Sequence, residues 1–163
     1  METPVTIKAI VISQAYEAVE PLMEGLHDHE RMLNSRTLPW AQLRERYMAH
    51  VIDMQQQNEG ICLVAYLADE PIGFIFGYLA EEDEGEIEAI DGNELYISDG
   101  FVKEQFRGTG VYKQLNARLE ASYAHKNIAR ISRFTLMNNQ KARRFMEKEN
   151  YVATRVLYEK WLK

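Results

Sequence analysis

Cysteine is nearly missing from this sequence. Cys62 stands alone among 163 residues, which excludes an intramolecular disulfide framework. It lies in the apolar run Ile61-Cys62-Leu63-Val64-Ala65 with no cationic neighbour to activate it, so it reads as a buried structural thiol. Proline is scarce as well, and no linker, internal repeat or low-complexity tract divides the chain; one domain spanning residues 1–163 is expected. No apolar run approaches membrane-spanning length, and no basic stretch followed by an apolar one opens the chain. Both absences argue against a membrane protein and for a cytoplasmic one. Excess positive charge is lacking too: the formal net charge is -6, whereas general nucleic-acid binding wants a basic face. What remains is 46% hydrophobic and 27% charged, enough to bury a proper core while staying soluble.

Periodicity then orders the chain. Residues 5–12 read as a strand, and residues 14–33 as a helix with Ala15, Val19, Leu22, Met23 and Leu26 on one face. Pro21 marks a kink or a fresh start within it. Thr37 suits the cap of a second helix, with Pro39 in its first turn, running through Leu43, Tyr47, Val51, Ile52 and Met54, fraying in Gln55-Gln56-Gln57 and ending by Gly60. Residues 61–67 and 72–79 form a hairpin whose Gly73 and Gly77 suggest a bulge or a close backbone approach. Residues 81–91 are strongly acidic. A solvated loop is one reading; a field that draws in a cationic substrate is the other. A strand over 95–102, a helix from Val111 and a strand over 128–136 follow. Asn138 or Asn139 caps a helix bearing Ala142, Phe145 and Met146, and Asn150 suits its left-handed end. Residues 151–162 read as a last strand. The order β-α-α-β-β-β-α-β-α-β is α/β, a mixed central sheet flanked by helices.

The centre of the chain is the turn Gln105-Phe106-Arg107-Gly108-Thr109-Gly110, set between the strand ending at Val102 and the helix starting at Val111. Strand, glycine turn and helix start make a cup of backbone N–H groups suited to an anion. Glycine lets the backbone come close, and Arg107 adds a fixed positive charge. No Gly-Lys-Ser/Thr follows, so this is not a nucleotide-triphosphate loop, and the third glycine of the dinucleotide fingerprint is missing.

These features resemble the GNAT family of N-acetyltransferases. Gln105-Phe106-Arg107-Gly108-Thr109-Gly110 is similar to the family's Gln/Arg-x-x-Gly-x-Gly/Ala. Residues 96–102 look like its fourth strand, and 63–77 like its second and third. Asn139-Gln140-Lys141-Ala142-Arg143-Arg144-Phe145-Met146, continued to Tyr151, resembles Asn-x-x-Ala-x-x-Phe-Tyr-x-x-x-Gly-Phe. The resemblance implies acetyl-CoA as co-substrate, with its pyrophosphate on Gln105, Arg107, Gly108, Thr109, Gly110, Val111 and Tyr112. The pantetheine arm would pair with the strand at Phe101 and Val102 and reach Asn139. It further implies direct attack of an amine on the thioester, a small cationic acceptor amine as the partner, no metal, and admits a homodimer.

Two positions depart from the family's pattern. Met146 stands where a proton-donating tyrosine is frequent, and Ser98 where a glutamate is frequent. The base then falls to Asp99, to Glu94, or to a water held by Tyr96 and Ser98; Tyr112 is the candidate acid, and Asp99 also has a purely structural reading. His27 and Glu30 share a helical face near the end of the first helix. A solvated helix end is one reading and a substrate-pocket lining another, while a metal site would need further ligands. His50 and His125 read as surface residues. The leading expectation is an acetyl-CoA-dependent N-acetyltransferase; an acyl-CoA-binding sensor that has lost catalysis is the alternative that Met146 and Ser98 favour.

Overall fold

The computed structural model describes residues 4–82 and 86–163. Five strands, β1 (Val5–Ile10), β2 (Ile61–Leu67), β3 (Glu70–Leu79), β4 (Asn93–Val102) and β5 (Ile128–Arg133), lie in that order in one sheet. The first three junctions are antiparallel and β4–β5 is parallel. Helices α1 (Tyr16–Leu33) and α2 (Trp40–Gln57) precede β2, α3 (Val111–Ser122) joins β4 to β5, and α4 (Gln140–Lys148) follows β5.

The central strands are apolar on both faces because both are covered. On β2, Cys62 and Val64 turn to one core and Leu63 and Ala65 to the other. The first core holds Val19, Leu22 and Met23 of α1 and Leu43 and Val51 of α2 against Phe74 and Phe76. The second holds Val111, Leu115 and Leu119 of α3 against Ile75, Leu95 and Ile97. Each such side chain contributes about 1.5–3 kcal/mol by leaving water. Burial also pushes the Cys62 thiol far above its ordinary value, as befits a structural cysteine. Tyr123 pins α3 to the sheet: its hydroxyl donates to the carbonyls of Glu59 and Gly77 at 2.6 and 3.0 Å.

Several local expectations change. α1 runs unbroken through Pro21. The second helix starts at Trp40, with Pro39 rather than Thr37 at the cap position and no side-chain cap. Its polar end is put to use, since Gln55 accepts from the Ile12 N–H and donates to the Ile10 carbonyl, both at 2.8 Å. The glycines of β3 behave as expected. A side chain at Gly73 would meet the Phe101 carbonyl at 2.8 Å, and register shifts fall between Ala65 and Tyr66 and between Phe76 and Gly77. Asn150 adopts a left-handed φ of 66°.

The last strand does not form. Residues 151–163 are neither helix nor strand, and from Val152 onward their apolar side chains are exposed. Strand propensity in that stretch expresses itself only against a ladder partner, and none is hydrogen-bonded to it here.

Candidate functional site

A register shift in β4 builds the site. Phe76 pairs with Asp99 while Gly77 pairs with Ile97, so Ser98 is left out of the ladder as a bulge. Before the bulge, Leu95 and Ile97 face α3. Strict alternation would send Asp99 to that face as well. The extra residue reverses the parity, so Phe101 packs toward α1 and α2 while Val102 joins the α3 core. Asp99 thereby comes to face His27 of α1 and Tyr47 of α2. β5 ends at Arg133, opposite Ile97, so residues 98–102 of β4 have no strand neighbour on that side.

Asp99 sits deep among protein atoms yet keeps a solvent-accessible edge. Burial raises its carboxyl above the ordinary value; a hydrogen bond from Ser98 Oγ at 2.6 Å and the nearby Tyr47, His27 and His50 pull the other way. Glu30 is raised too, first by burial and then by the charge of Asp99. His27 is lowered by burial, against the attraction of Asp99 and Asp28. It stacks with Trp40 at 5.3 Å and meets Tyr47 edge-on at 4.4 Å. The His27 Nε2 and the Tyr47 hydroxyl are buried without a hydrogen bond. Tyr96 and Tyr78 meet in a T-shaped pair at 5.6 Å, and burial followed by neighbouring charge, Asp99 included, raises both hydroxyls. Two carboxylates and an aromatic cluster therefore gather on this side of the sheet. His27 and Glu30 are half-buried beside them and are not a solvated helix end.

The glycine turn lies just beyond. Gly108 and Gly110 have φ of 78° and 84°, and a side chain on either would meet nothing within 4 Å. Glycine is required there by backbone conformation, and the space above stays open. Gly110 precedes the first turn of α3, which carries neither a side-chain cap nor an acidic residue, so its N–H groups remain free for an anion. Val111 anchors the helix start in the core at 3% exposure. Thr109 Oγ1 donates to the Phe106 carbonyl at 2.6 Å, and Gln105 is exposed in a short turn of helix. Arg107 folds back, donating from Nε to the Val102 carbonyl at 2.9 Å with its guanidinium 5.3 Å from the Phe101 ring centre. Phe101 in turn lies under Gly25 of α1, where any side chain would strike its ring at 2.8 Å. These residues fit an elongated anionic ligand: a free helix start, an arginine beside it and an unpaired strand segment leading to Asp99.

From the α3 face, Tyr112 presses its hydroxyl beneath Gly100 and accepts a hydrogen bond from Arg133. Phe145 of α4 packs against the Tyr112 ring, 4.8 Å between centres. Arg133 also donates to Asn116 at 2.8 Å, which bonds Glu120 at 2.8 Å. Tyr112 and Arg133 thus stand where β4 and β5 part, across the strand from Asp99. Arg133 was not expected in the site; its place at the end of an apolar strand, opposite the bulge, is visible only in three dimensions. Asn139 caps α4, its Oδ1 accepting from the Ala142 N–H at 3.2 Å, while Asn138 donates to the Leu33 carbonyl at 2.7 Å. Glu94 is kept apart from Asp99. Arg130 Nη2 donates to it at 2.5 Å and Ser132 Oγ bonds it too.

Where it is described, the acidic stretch is tied to Asn58 and Arg130. Residues 83–85 lie outside the described residues. Glu86 and Glu88 pair with Arg130 at 2.7 and 3.1 Å, and Arg130 followed by the Glu88 N–H brings Glu86 down to about 2. The carboxylates beside Tyr47 are Asp99 and Glu30. Two surface depressions of about 390 and 400 Å³, one beside Ile10 and Gln55 and one beside Asp28 and Arg31, gather none of these residues. Among the described residues no group of acids, histidines or cysteines could hold a metal ion, and no helix is long and apolar enough to cross a membrane.

Comparison with known proteins completes the picture. The family model described as acetyltransferase (GNAT) family matches residues 26–151, stopping where the strand-free C-terminal stretch begins. No curated protein sequence matches the chain. A putative acetyl transferase from Pyrococcus furiosus superposes with a TM-score of 0.74 at 18% identity, over 98% of this chain and 100% of that one. An aminoglycoside acetyltransferase from an uncultured soil metagenomic sample, in complex with sisomicin, gives 0.67 at 17% identity over 98% and 97%. An aminoglycoside N-acetyltransferase in complex with CoA gives 0.69 at 17% identity over 100% and 98%. At these identities the likeness is one of fold.

Proposed function

The chain belongs to the acetyltransferase (GNAT) family, and on that premise we propose that it transfers the acetyl group of acetyl-CoA to a primary amine on a small cationic molecule. One observation carries the reading. The β4 bulge turns Asp99 toward Glu30, beside strand residues that β5 leaves unpaired. Two half-buried carboxylates, with the charge of Asp99 adding to burial in raising Glu30 and no lysine or arginine among the described residues paired with either, favour a ligand that brings its own positive charge. The aminoglycoside acetyltransferases among the structural relatives support a small amine acceptor. The buried thiol of the single cysteine suits a reducing cytoplasm.

Acetyl-CoA supplies an acyl group on a thiolate leaving group. Its phosphates suit the free N–H groups of the first turn of α3, and its arm suits β4 at Phe101 and Val102, with Asn139 flanking. Glu30 and the His27–Trp40–Tyr47 lining orient the ammonium. Asp99, held above the ordinary carboxylate range, takes up the proton that the amine must lose, and a carboxylate so raised is the better base near neutral pH. Tyr112, bonded by Arg133, is positioned to return a proton on the other side of the strand, which offsets the absence of a donor at Met146.

The test is thiol release from acetyl-CoA with a panel of linear polyamines, aminoglycosides and a lysine peptide. Release with the multiply charged small amines is expected. A protein that binds CoA but releases no thiol with any amine would be an acyl-CoA-binding module, and the proposal would fail.

A further inference from the structure

Two tyrosines flank one guanidinium, and they place their protons differently. Arg133 ends β5, its guanidinium 5.7 Å from the Tyr112 ring centre and 5.6 Å from that of Tyr151. The Tyr151 hydroxyl donates to Glu120 Oε1 at 2.8 Å. Burial followed by that bond pushes it up to about 12, so its proton stays committed. The Tyr112 hydroxyl instead accepts, from Arg133 Nη2, and among the described residues nothing accepts its own O–H. A phenol has one proton to give, and here it is free. Gly100 lets this hydroxyl press under the β4 segment that β5 leaves unpaired, since a side chain there would meet it at 2.6 Å.

The cation is held by neutral groups. Arg133 Nη1 donates to the Asn116 amide oxygen at 2.8 Å, and Asn116 Nδ2 donates to Glu120 Oε1 at 2.8 Å. Among the described residues Arg133 forms no ion pair, whereas Arg44, Arg130 and Arg155 all bond carboxylates directly. Asn116 is 2% exposed, the one buried polar side chain among the described residues. Burying an amide is costly unless its bonds are made; these two bonds fix the half-buried guanidinium fork against Tyr112. We propose that Arg133 is a positioning residue for the proton that the leaving thiolate takes up, an inference that rests on the acetyl-transfer reading. It keeps the Tyr112 O–H free to donate and holds the phenolate left behind. As the bond between carbonyl carbon and sulfur breaks, sulfur keeps the electron pair and the Tyr112 proton passes to it. The phenolate then takes a proton back from water. A hydrogen bond from a cation strengthens as its acceptor becomes an anion, and this donor stands in place beforehand. Lysine could supply the charge at one point but not both arms of the fork.

The test is a double-variant cycle of Arg133→Gln and Tyr112→Phe, read by thiol release with the best amine of the panel above. Arg133→Gln is expected to lower kcat about 10- to 100-fold. KM for acetyl-CoA and CoA affinity by calorimetry are expected to stay within about 2-fold, which also reports an intact fold. In the Tyr112→Phe background the same change is expected to lower kcat by no more than about 2-fold, because the group through which Arg133 acts is gone. Arg133→Lys is expected to restore part of the lost kcat, since the charge returns without the fork. A Tyr112→Phe variant at full kcat, equal losses from Arg133→Gln in both backgrounds, a loss that falls on KM alone, or no gain from lysine would each overturn the role of Arg133 and leave acetyl transfer standing. A wild-type chain that binds CoA and releases no thiol with any amine would overturn acetyl transfer, and the role of Arg133 with it.

Discussion

Replacing Asp99 by asparagine removes a charge while keeping the shape, and the two consequences run in opposite directions. Asn can still accept the Ser98 hydroxyl that Asp99 accepts at 2.6 Å, so the bulge keeps its bond. It cannot take a proton from an ammonium. Loss of a general base costs about 10²–10⁴-fold in rate, or roughly 3–5 kcal/mol of barrier. Stability should move the other way. Burial raises the folded carboxyl above its unfolded value, so the folded state binds this proton more tightly than the unfolded chain does. Below the unfolded value both states are protonated and nothing is lost. As pH rises to the folded value a penalty grows, and above it the penalty is full. Asp99→Asn removes that penalty at neutral pH, so the variant's Tm rises there. Two assays decide: kcat/KM by thiol release from pH 5 to 9, and thermal melts at pH 7.5 and pH 3. The expectation is a large fall in kcat/KM with a Tm above wild type at pH 7.5 and equal to it at pH 3. Activity within about 3-fold of wild type, or a fall in activity matched by a fall in Tm, would refute the assignment; the second outcome would make Asp99 a structural residue.

Gly110→Ala meets no atom within 4 Å but forces a side chain onto a φ of 84°. A backbone cost of about 1–2 kcal/mol is expected. CoA affinity by calorimetry is expected to fall about 10-fold through the distorted cup, and unaltered affinity would count against anion binding there. Tyr123→Phe leaves the Glu59 and Gly77 carbonyls without their donor, which is expected to cost about 1–3 kcal/mol in a denaturant titration with kcat unchanged. Below pH 5 the Glu86 pairing should be felt. Its folded value of about 2 lies under the ordinary glutamate range, so its contribution is full above that range and disappears as pH falls toward 2. The fall in Tm over that window should be smaller in Glu86→Gln and smaller still in high salt, since the pair is solvent-screened.

Much of this was legible beforehand because the signals were local. The glycine turn announces itself through Gly108 and Gly110, which sit in left-handed backbone as such residues must. The helices follow from a 3.6-residue apolar period, and the two-faced sheet from uninterrupted runs such as Ile61-Cys62-Leu63-Val64-Ala65. What stayed hidden depends on pairing. Alternation alone places Asp99 on the α3 face with Leu95 and Ile97. Only the unpaired Ser98 reverses it, and a one-residue bulge leaves no mark in composition or period. Residues 151–162 read as a strand and form none for the same reason: apolar, β-branched content is a statement about what a segment can do beside a neighbour.

The apolar stripes of α1 and α2 carry a further signal in the sequence. On α1 the buried stripe is Val19, Leu22, Met23 and Leu26; one turn further along the same stripe come His27 and Glu30. On α2 the stripe through Leu43 and Val51 passes through Tyr47, whose hydroxyl is buried without a partner. An apolar helical stripe that turns polar without leaving its face is costly unless something compensates it. Here both stripes turn polar at the same height, opposite the one bulge that aims a carboxylate at them. A core that needed only stability would fill those positions with leucine. The coincidence of three such departures, on three separate elements, is the physical reason for placing the acceptor there and not at the acidic stretch, whose Glu86 and Glu88 already have arginine partners.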